Sequence, residues 1–190
     1  MIPARLVELG RRRWDDLPLD RLGLELPPAA VLMLLWGDAD APQLLLTRRA
    51  ARLRTQPGDI ALPGGRCDLG EIELVGRFDE SWSSAGSRVV PVVGWTDRAP
   101  ELRASPDEVA DIIVVPLADL ADPANHGYRV TPAGDHEYRD SVITVGDVVV
   151  YGFTADLVLD LTVWLSGGDR RRTDERLADL VHFAGQRGWR

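Results

Sequence analysis

Two arginines and a run of glycines stand at spacings suited to an anionic ligand. After Leu45 the chain places Arg49, Arg54 and Gly58, then Pro63, Gly64 and Gly65, with Gly70 close behind. A guanidinium offers forked donors that match phosphate oxygens in pairs. Glycine lets the backbone enter left-handed conformations and approach a ligand closely. These residue types predict a loop that binds a phosphorylated molecule, with Arg49, Arg54, Gly58, Pro63, Gly64 and Gly65 as substrate-binding residues. A Gly-Gly alone is more often a turn; the spaced arginines before it set this segment apart.

Hydrophobic patterning places the loop between strands. Residues 5–25 read as a helical or irregular lead-in closed by Pro27-Pro28, and 29–36 as a strand buried on both faces. A turn at 37–40 leads to a second strand at 43–47, making a hairpin. Further strands are expected at 72–78, 88–95 and 112–115, the last ended by Pro116, and a second hairpin joins 142–145 to 148–153 around Gly146-Asp147. Leu157, Val158, Leu161, Trp164 and Leu165 recur at helical spacing, as do Leu177, Leu180, Val181 and Ala184 behind a Thr173 cap. Residues 167–172 read as a solvated linker. Residues 1–168 are therefore expected to form one domain and 169–190 a C-terminal helical extension.

Composition narrows the partners. The 190 residues carry 22 Lys+Arg against 30 Asp+Glu, a net charge of −8, and every one of those cations is arginine. A chain this acidic is a poor general phosphate-backbone binder, so no nucleic-acid partner is expected. A single cysteine, Cys67, allows no intrachain disulfide. The apolar run at 29–36 is too short for a bilayer, which takes ~20 residues, and residues 1–14 lack a signal-peptide pattern; a cytoplasmic protein without a membrane partner is expected. The six tryptophans are scattered and read as core.

From Leu45 the chain runs Leu-Leu-Thr-x-Arg-Ala-x3-Arg-x3-Gly-x3-Leu-Pro-Gly-Gly, which resembles the signature of the coenzyme A pyrophosphatase branch of the Nudix hydrolases. Ten of eleven fixed positions agree, with Leu62 in place of the usual Phe. Val89-Val90-Pro91-Val92-Val93-Gly94-Trp95, Asp107-Glu108-Val109-Ala110 with Val114-Val115-Pro116-Leu117, and Tyr151-Gly152-Phe153-Thr154-Ala155 resemble the same family in the same order, so the likeness covers 29–165. It implies an α/β/α sandwich with a mixed sheet, and hydrolysis of the pyrophosphate of coenzyme A or a related nucleoside diphosphate derivative with Mg²⁺ or Mn²⁺. It also implies catalytic roles for Glu71, as metal ligand, and Glu108, at a loop position where some members carry a base or further ligand.

The family box reads Gly-x5-Glu-x7-Arg-Glu-U-x-Glu-Glu-x-Gly-U, with U aliphatic. Gly65 and Glu71 supply its opening, after which Ile72-Glu73-Leu74-Val75 begins the next strand at once, and no Glu-Glu pair occurs in the chain. Glutamates at i, i+3 and i+4 share a helical face and can hold a hard divalent cation, which Glu71 alone does poorly. Two readings follow: a metal-dependent hydrolase, or a catalytically inactive Nudix-fold binding protein for coenzyme A or a nucleotide. Asp68, Glu73, Asp79 and Glu80 read as solvated, His126 and His136 as loop residues, and Asp174-Glu175 as a helix N-terminus. Losing the box helix would bare apolar sheet surface, to be covered by the C-terminal helix, a rearranged loop or a second chain, which makes a homodimer one expected partner.

Overall fold

The apolar run after Pro27 forms the centre of a mixed β-sheet in the computed structural model, which describes residues 2–64, 72–133, 136–170 and 174–189. Two short helices lead in, α1 (Ala4–Leu9) and α2 (Leu19–Leu22), and β1 (Pro28–Asp38) turns at Ala39-Asp40 into β2 (Ala41–Arg49). Strands β3 (Ile60–Ala61), β4 (Glu73–Arg77), β5 (Ser81–Ser83), β6 (Ser87–Thr96) and β7 (Val109–Pro116) complete this seven-stranded sheet. After α3 (Leu117–Ala121), strands β8 (His126–Ala133), β9 (His136–Val145) and β10 (Val148–Tyr151) make a three-stranded sheet, followed by α4 (Gly152–Leu165) and α5 (Asp174–Arg187). No helix among the described residues is long and apolar enough to cross a membrane.

Strand β1 runs parallel to β6 from Pro28 opposite Arg88 to Trp36 opposite Thr96, while the remaining pairs of this sheet are antiparallel. Alternation sends Met33 and Leu35 to one face and Leu34 and Trp36 to the other. The first face packs against Leu6 and Leu9 of α1, Leu117 and Leu120 of α3, and Leu157, Val158 and Leu161 of α4. Each such fully buried side chain contributes about 1.5–3 kcal/mol. The second face holds a smaller cluster, Leu34, Trp36 and Leu45 with Leu32, Ile72, Leu102 and Ile112, to which no helix contributes among the described residues.

Of the three covers expected for bared sheet surface, the C-terminal helix is not the one found on the second face among the described residues. Helix α5 buries Leu180 against Leu17, Leu26 and Trp82, capping the lead-in and β5, and it is Leu102, between β6 and β7, that reaches the second face. Other expectations change as well. His126 and His136 open strands β8 and β9 rather than sitting in loops, because β8–β9 pairing runs the full length from His126 opposite Ile143 to Ala133 opposite His136. The strand expected to reach residue 153 stops at Tyr151, and Gly152 opens α4. Only the middle of β1 is buried on both faces; its first three residues are exposed. Glu80 is buried, not solvated: its carboxylate accepts the Leu17 amide at 2.9 Å and faces Arg88 at 3.7 Å. Among the tryptophans, Trp14, Trp36, Trp95 and Trp164 are buried, whereas Trp82 and Trp189 are only partly so. Thr173 lies outside the described residues.

The supposed solvated linker carries an ion cluster. Arg170 donates to Asp160 at 2.7 Å and to Asp156 at 3.0 Å, Arg176 faces the same two carboxylates at 3.7 and 3.8 Å, and Arg12 binds Asp169 at 2.6 Å. The cluster ties α4 to the segment entering α5. The Asp160 carboxyl is pushed up to about 6 from 3.8 because burial opposes its charge, which Arg176 and Arg170 only partly offset. A folded value above the unfolded one means that folding takes up a proton between the two. This group's contribution is therefore whole below about 3.8 and lost as pH rises through about 6. The stability of the wild type relative to Asp160→Asn is expected to fall across that window by on the order of 3 kcal/mol and then level off. Thermal or urea unfolding of both proteins over the pH series measures it, and a flat difference would contradict the assignment.

Candidate functional site

Between the two sheets lies a cleft of about 710 Å³, within the size range of small-molecule sites. Its floor is formed where β2 leaves β1. The two strands pair only from Leu35–Leu44 to Asp38–Ala41; β3 then takes the same edge of β2 at Thr47 and Arg48, while β7 pairs along the opposite edge from Gln43 to Arg49. The vacated edge of β1 is taken by the motif: Leu32 donates its amide to the Pro63 carbonyl at 2.8 Å, and Val31 bridges Gly64. A Cβ on Gly64 would stand 3.1 Å from the Ala30 carbonyl oxygen, so this glycine answers close backbone approach and not a left-handed turn. Pro63 and Gly64 thus line the cleft as part of the sheet.

The arginines do different work from one another. Arg49 lines the cleft, and its guanidinium donates to the carbonyls of Thr55 at 3.0 Å and Gln56 at 3.1 Å, holding the 50–58 loop closed on β2. Gly58, at φ 78°, turns that loop back so that its amide reaches the Arg49 carbonyl at 3.2 Å; nothing lies within 4 Å of where its Cβ would be. Gly58 therefore serves the turn and lines no part of the cleft. Arg54 is exposed in the same loop, outside the cleft lining. Glu108 does line it, on a turn held by its carbonyl accepting the Ala50 amide at 2.9 Å and by Arg52 donating to the neighbouring Pro106 carbonyl at 2.7 Å. Gly65 and Glu71, like Cys67 and Asp68, lie outside the described residues.

The opposite wall is built from residues outside the fixed positions of the arginine-glycine motif. Tyr151 donates its hydroxyl to Asp59 at 2.5 Å, Arg129 sits 4.2 Å over the Tyr151 ring, and Asp140 accepts from Arg129 at 2.9 Å. This chain of four side chains joins the residue after Gly58 to the β8–β9 hairpin and aims a guanidinium into the cleft. Its signals in sequence were faint: Asp59 adjoins a motif position and Tyr151 opens a family-like stretch, but Arg129 and Asp140 meet only through the β8–β9 register.

These residues do not fit a magnesium or manganese cradle. Among the described residues no three His, Cys, Asp or Glu side chains converge as metal ligands. Three of the cleft carboxylates are engaged elsewhere, Asp59 by Tyr151, Asp140 by Arg129, and Asp156 by Arg170 and by the Ser141 hydroxyl at 2.7 Å, while Glu108 and Asp179 also line the cleft.

Burial first, and then the Asp59 carboxylate, hold the Tyr151 phenol above the ordinary tyrosine range, since both disfavour phenolate. Asp59→Asn is expected to bring one tyrosine ionisation down toward the ordinary value in an ultraviolet difference titration. Tyr151→Phe removes that ionisation and costs about 1 kcal/mol of stability. An unchanged titration curve in Asp59→Asn would refute the contact.

No family model matches the chain. It is 27% identical over 175 residues to the uncharacterized Nudix hydrolase NudL of Photorhabdus laumondii, covering 75% of this chain and 93% of that one. It is 30% identical over 167 residues to NudL of Cronobacter sakazakii, covering 76% and 86% respectively. The human mitochondrial coenzyme A diphosphatase NUDT8 is 31% identical over 153 residues, covering 67% of this chain and 64% of that one. Among solved structures, a MutT/nudix family protein from Enterococcus faecalis superposes at a TM-score of 0.37 and 16% identity, covering 67% of this chain and 51% of that one. It is the sequence likeness, extending over most of the length of the NudL proteins, that decides the matter: the chain, built on the mixed sheet the resemblance implied, belongs to the Nudix hydrolase family.

Proposed function

We propose that this Nudix chain binds coenzyme A or a related nucleoside diphosphate derivative in the cleft between its sheets, and acts as a binding protein in which metal-dependent hydrolysis is lost or slow. One observation carries the reading. Strand β4 opens at Glu73, so a single residue, Ile72, separates Glu71 from the sheet. The family pattern needs seven residues there and then a helix bearing three glutamates, and the chain has no length for it.

Recognition does not depend on that helix. Arg129 stands at the cleft with its charge upheld by the hydrogen bond to Asp140, and Pro63-Gly64 brings backbone to the same cavity. A bound anion would meet a guanidinium already oriented by two partners, which lowers the ordering cost of binding. Arg49 supports this indirectly, since it holds the loop that carries Asp59. A divalent ion, where one binds, would supply charge neutralisation at the phosphates; Asp59, Asp140 and Asp156 are committed to other bonds.

Likeness to the human coenzyme A diphosphatase favours the second reading, hydrolysis with Glu71 as the surviving ligand and Glu108 beside it. Titration calorimetry with coenzyme A in the presence of a chelator, and product analysis after incubation with coenzyme A and Mg²⁺ or Mn²⁺, separate the two. Binding that persists without metal is expected, weakened roughly tenfold or more by Arg129→Ala as a charge-assisted contact is lost, with no turnover above the Glu71→Gln protein. Metal-dependent formation of an adenosine bisphosphate and a phosphopantetheine, abolished in Glu71→Gln, would establish the hydrolase instead.

A further inference from the structure

Half-buried aromatic side chains are concentrated where α5 meets the cleft. Trp82 of β5, Tyr138 of β9 and Phe183 of α5 all line the cavity. Phe183 lies 5.4 Å from Trp82 and 5.5 Å from Tyr138, and Trp189 lies 5.5 Å from Phe183. Each pair meets tilted or edge-on, at 49°, 65° and 47°, so none of these contacts lays one ring flat on another. The core tryptophans Trp14, Trp95 and Trp164 are buried. The cleft aromatics are not, and an apolar surface turned toward a polar cavity is where a planar ring gains by stacking.

Their distance from the anion station is set by the strand. Tyr138 and Asp140 are two residues apart on β9, so they share a face at a separation of about 7 Å. Asp140 holds Arg129. A ligand whose phosphate meets Arg129 therefore has the aromatic group one strand repeat away, a separation that a single ribose spans. Asp179 of α5 and the serines of the β5–β6 turn line the same end and offer acceptors and donors to the edge of a base.

We infer that α5, β5 and β9 form a base subsite, in which Phe183, Trp82 and Tyr138 receive the purine ring of a nucleotide whose phosphates lie at Arg129. The inference rests on the proposed ligand class and goes beyond it by assigning the ring to a helix outside the segment that resembles the family. Helix α5 is thereby a specificity element, held over the cleft by the Trp82 indole donating to the Arg176 carbonyl at 3.3 Å and by Arg176 donating to Ser81 at 3.2 Å.

Titration calorimetry of the full chain with ADP and with inorganic pyrophosphate tests it. Phe183→Ala and Phe183→Leu are expected to weaken ADP roughly tenfold, within the range of a lost base stack, and to leave pyrophosphate unchanged. ADP, but not pyrophosphate, is expected to quench tryptophan emission, and Trp82→Phe to lose most of that signal. Should Phe183→Ala disturb folding by circular dichroism, Phe183→Leu and Trp82→Phe carry the measurement. Unchanged ADP affinity in the Phe183 variants, equal weakening of both probes, or quenching that survives Trp82→Phe overturns the subsite while coenzyme A binding stands. Failure of the wild type to bind coenzyme A, ADP and pyrophosphate overturns the proposed function and the subsite together.

Discussion

The parting of β2 from β1 is the constraint on which the rest of the molecule turns. Strand β2 keeps β1 for only four residue pairs before that edge passes to β3, leaving the first half of β1 with an edge that no strand takes. Buried backbone donors must be matched, and the Leu32 amide finds the Pro63 carbonyl. Gly64 follows because any Cβ there would crowd the Ala30 carbonyl. The proline-glycine motif is thus a piece of sheet closure that also lines the cleft, and the cleft is the space that the parting leaves between the two sheets.

Charge is distributed by the same economy of partners. With arginine as the sole side-chain cation apart from histidine, the chain uses forked donors where it needs two acceptors fixed at once. Arg49 spans two loop carbonyls, and Arg170 spans two carboxylates of α4. Desolvating Asp160 is costly even with two arginines beside it, which is why its carboxyl rises instead of falling. Arg129 lines the open cavity with its bonds made to one carboxylate and one ring, whereas Arg49, on the same cavity, is tied to loop carbonyls.

Aromatic residues divide in a comparable way. Trp14 packs on Phe78 and Trp164 within the main core, at 4.9 and 5.3 Å. Trp82, Phe183 and Trp189 belong instead to the small cluster in which α5 meets the lead-in, beside the cavity. The C-terminal helix is accordingly both a cap on that cluster and a wall of the cleft.

Local chemistry was enough to read the strands whose apolar runs are strong, the β1–β2 hairpin, the β9–β10 hairpin around Gly146-Asp147, helix α4, and membership of the Nudix family from the arginine-glycine spacing. It was also enough to see that no glutamate-bearing helix follows Glu71, because a helix needs residues and the chain has none to spare there. Strand β8 was illegible since its residues are largely exposed, so no apolar alternation marks them. The Asp59–Tyr151–Arg129–Asp140 chain, the burial of Glu80, the ion cluster at Arg170 and the aromatic wall of α5 join residues from different elements. Only the tertiary structure decided them, because a side chain's partner is set by strand register and helix placement, and identical arginines meet carbonyls, carboxylates or an open cavity according to what the fold sets opposite them.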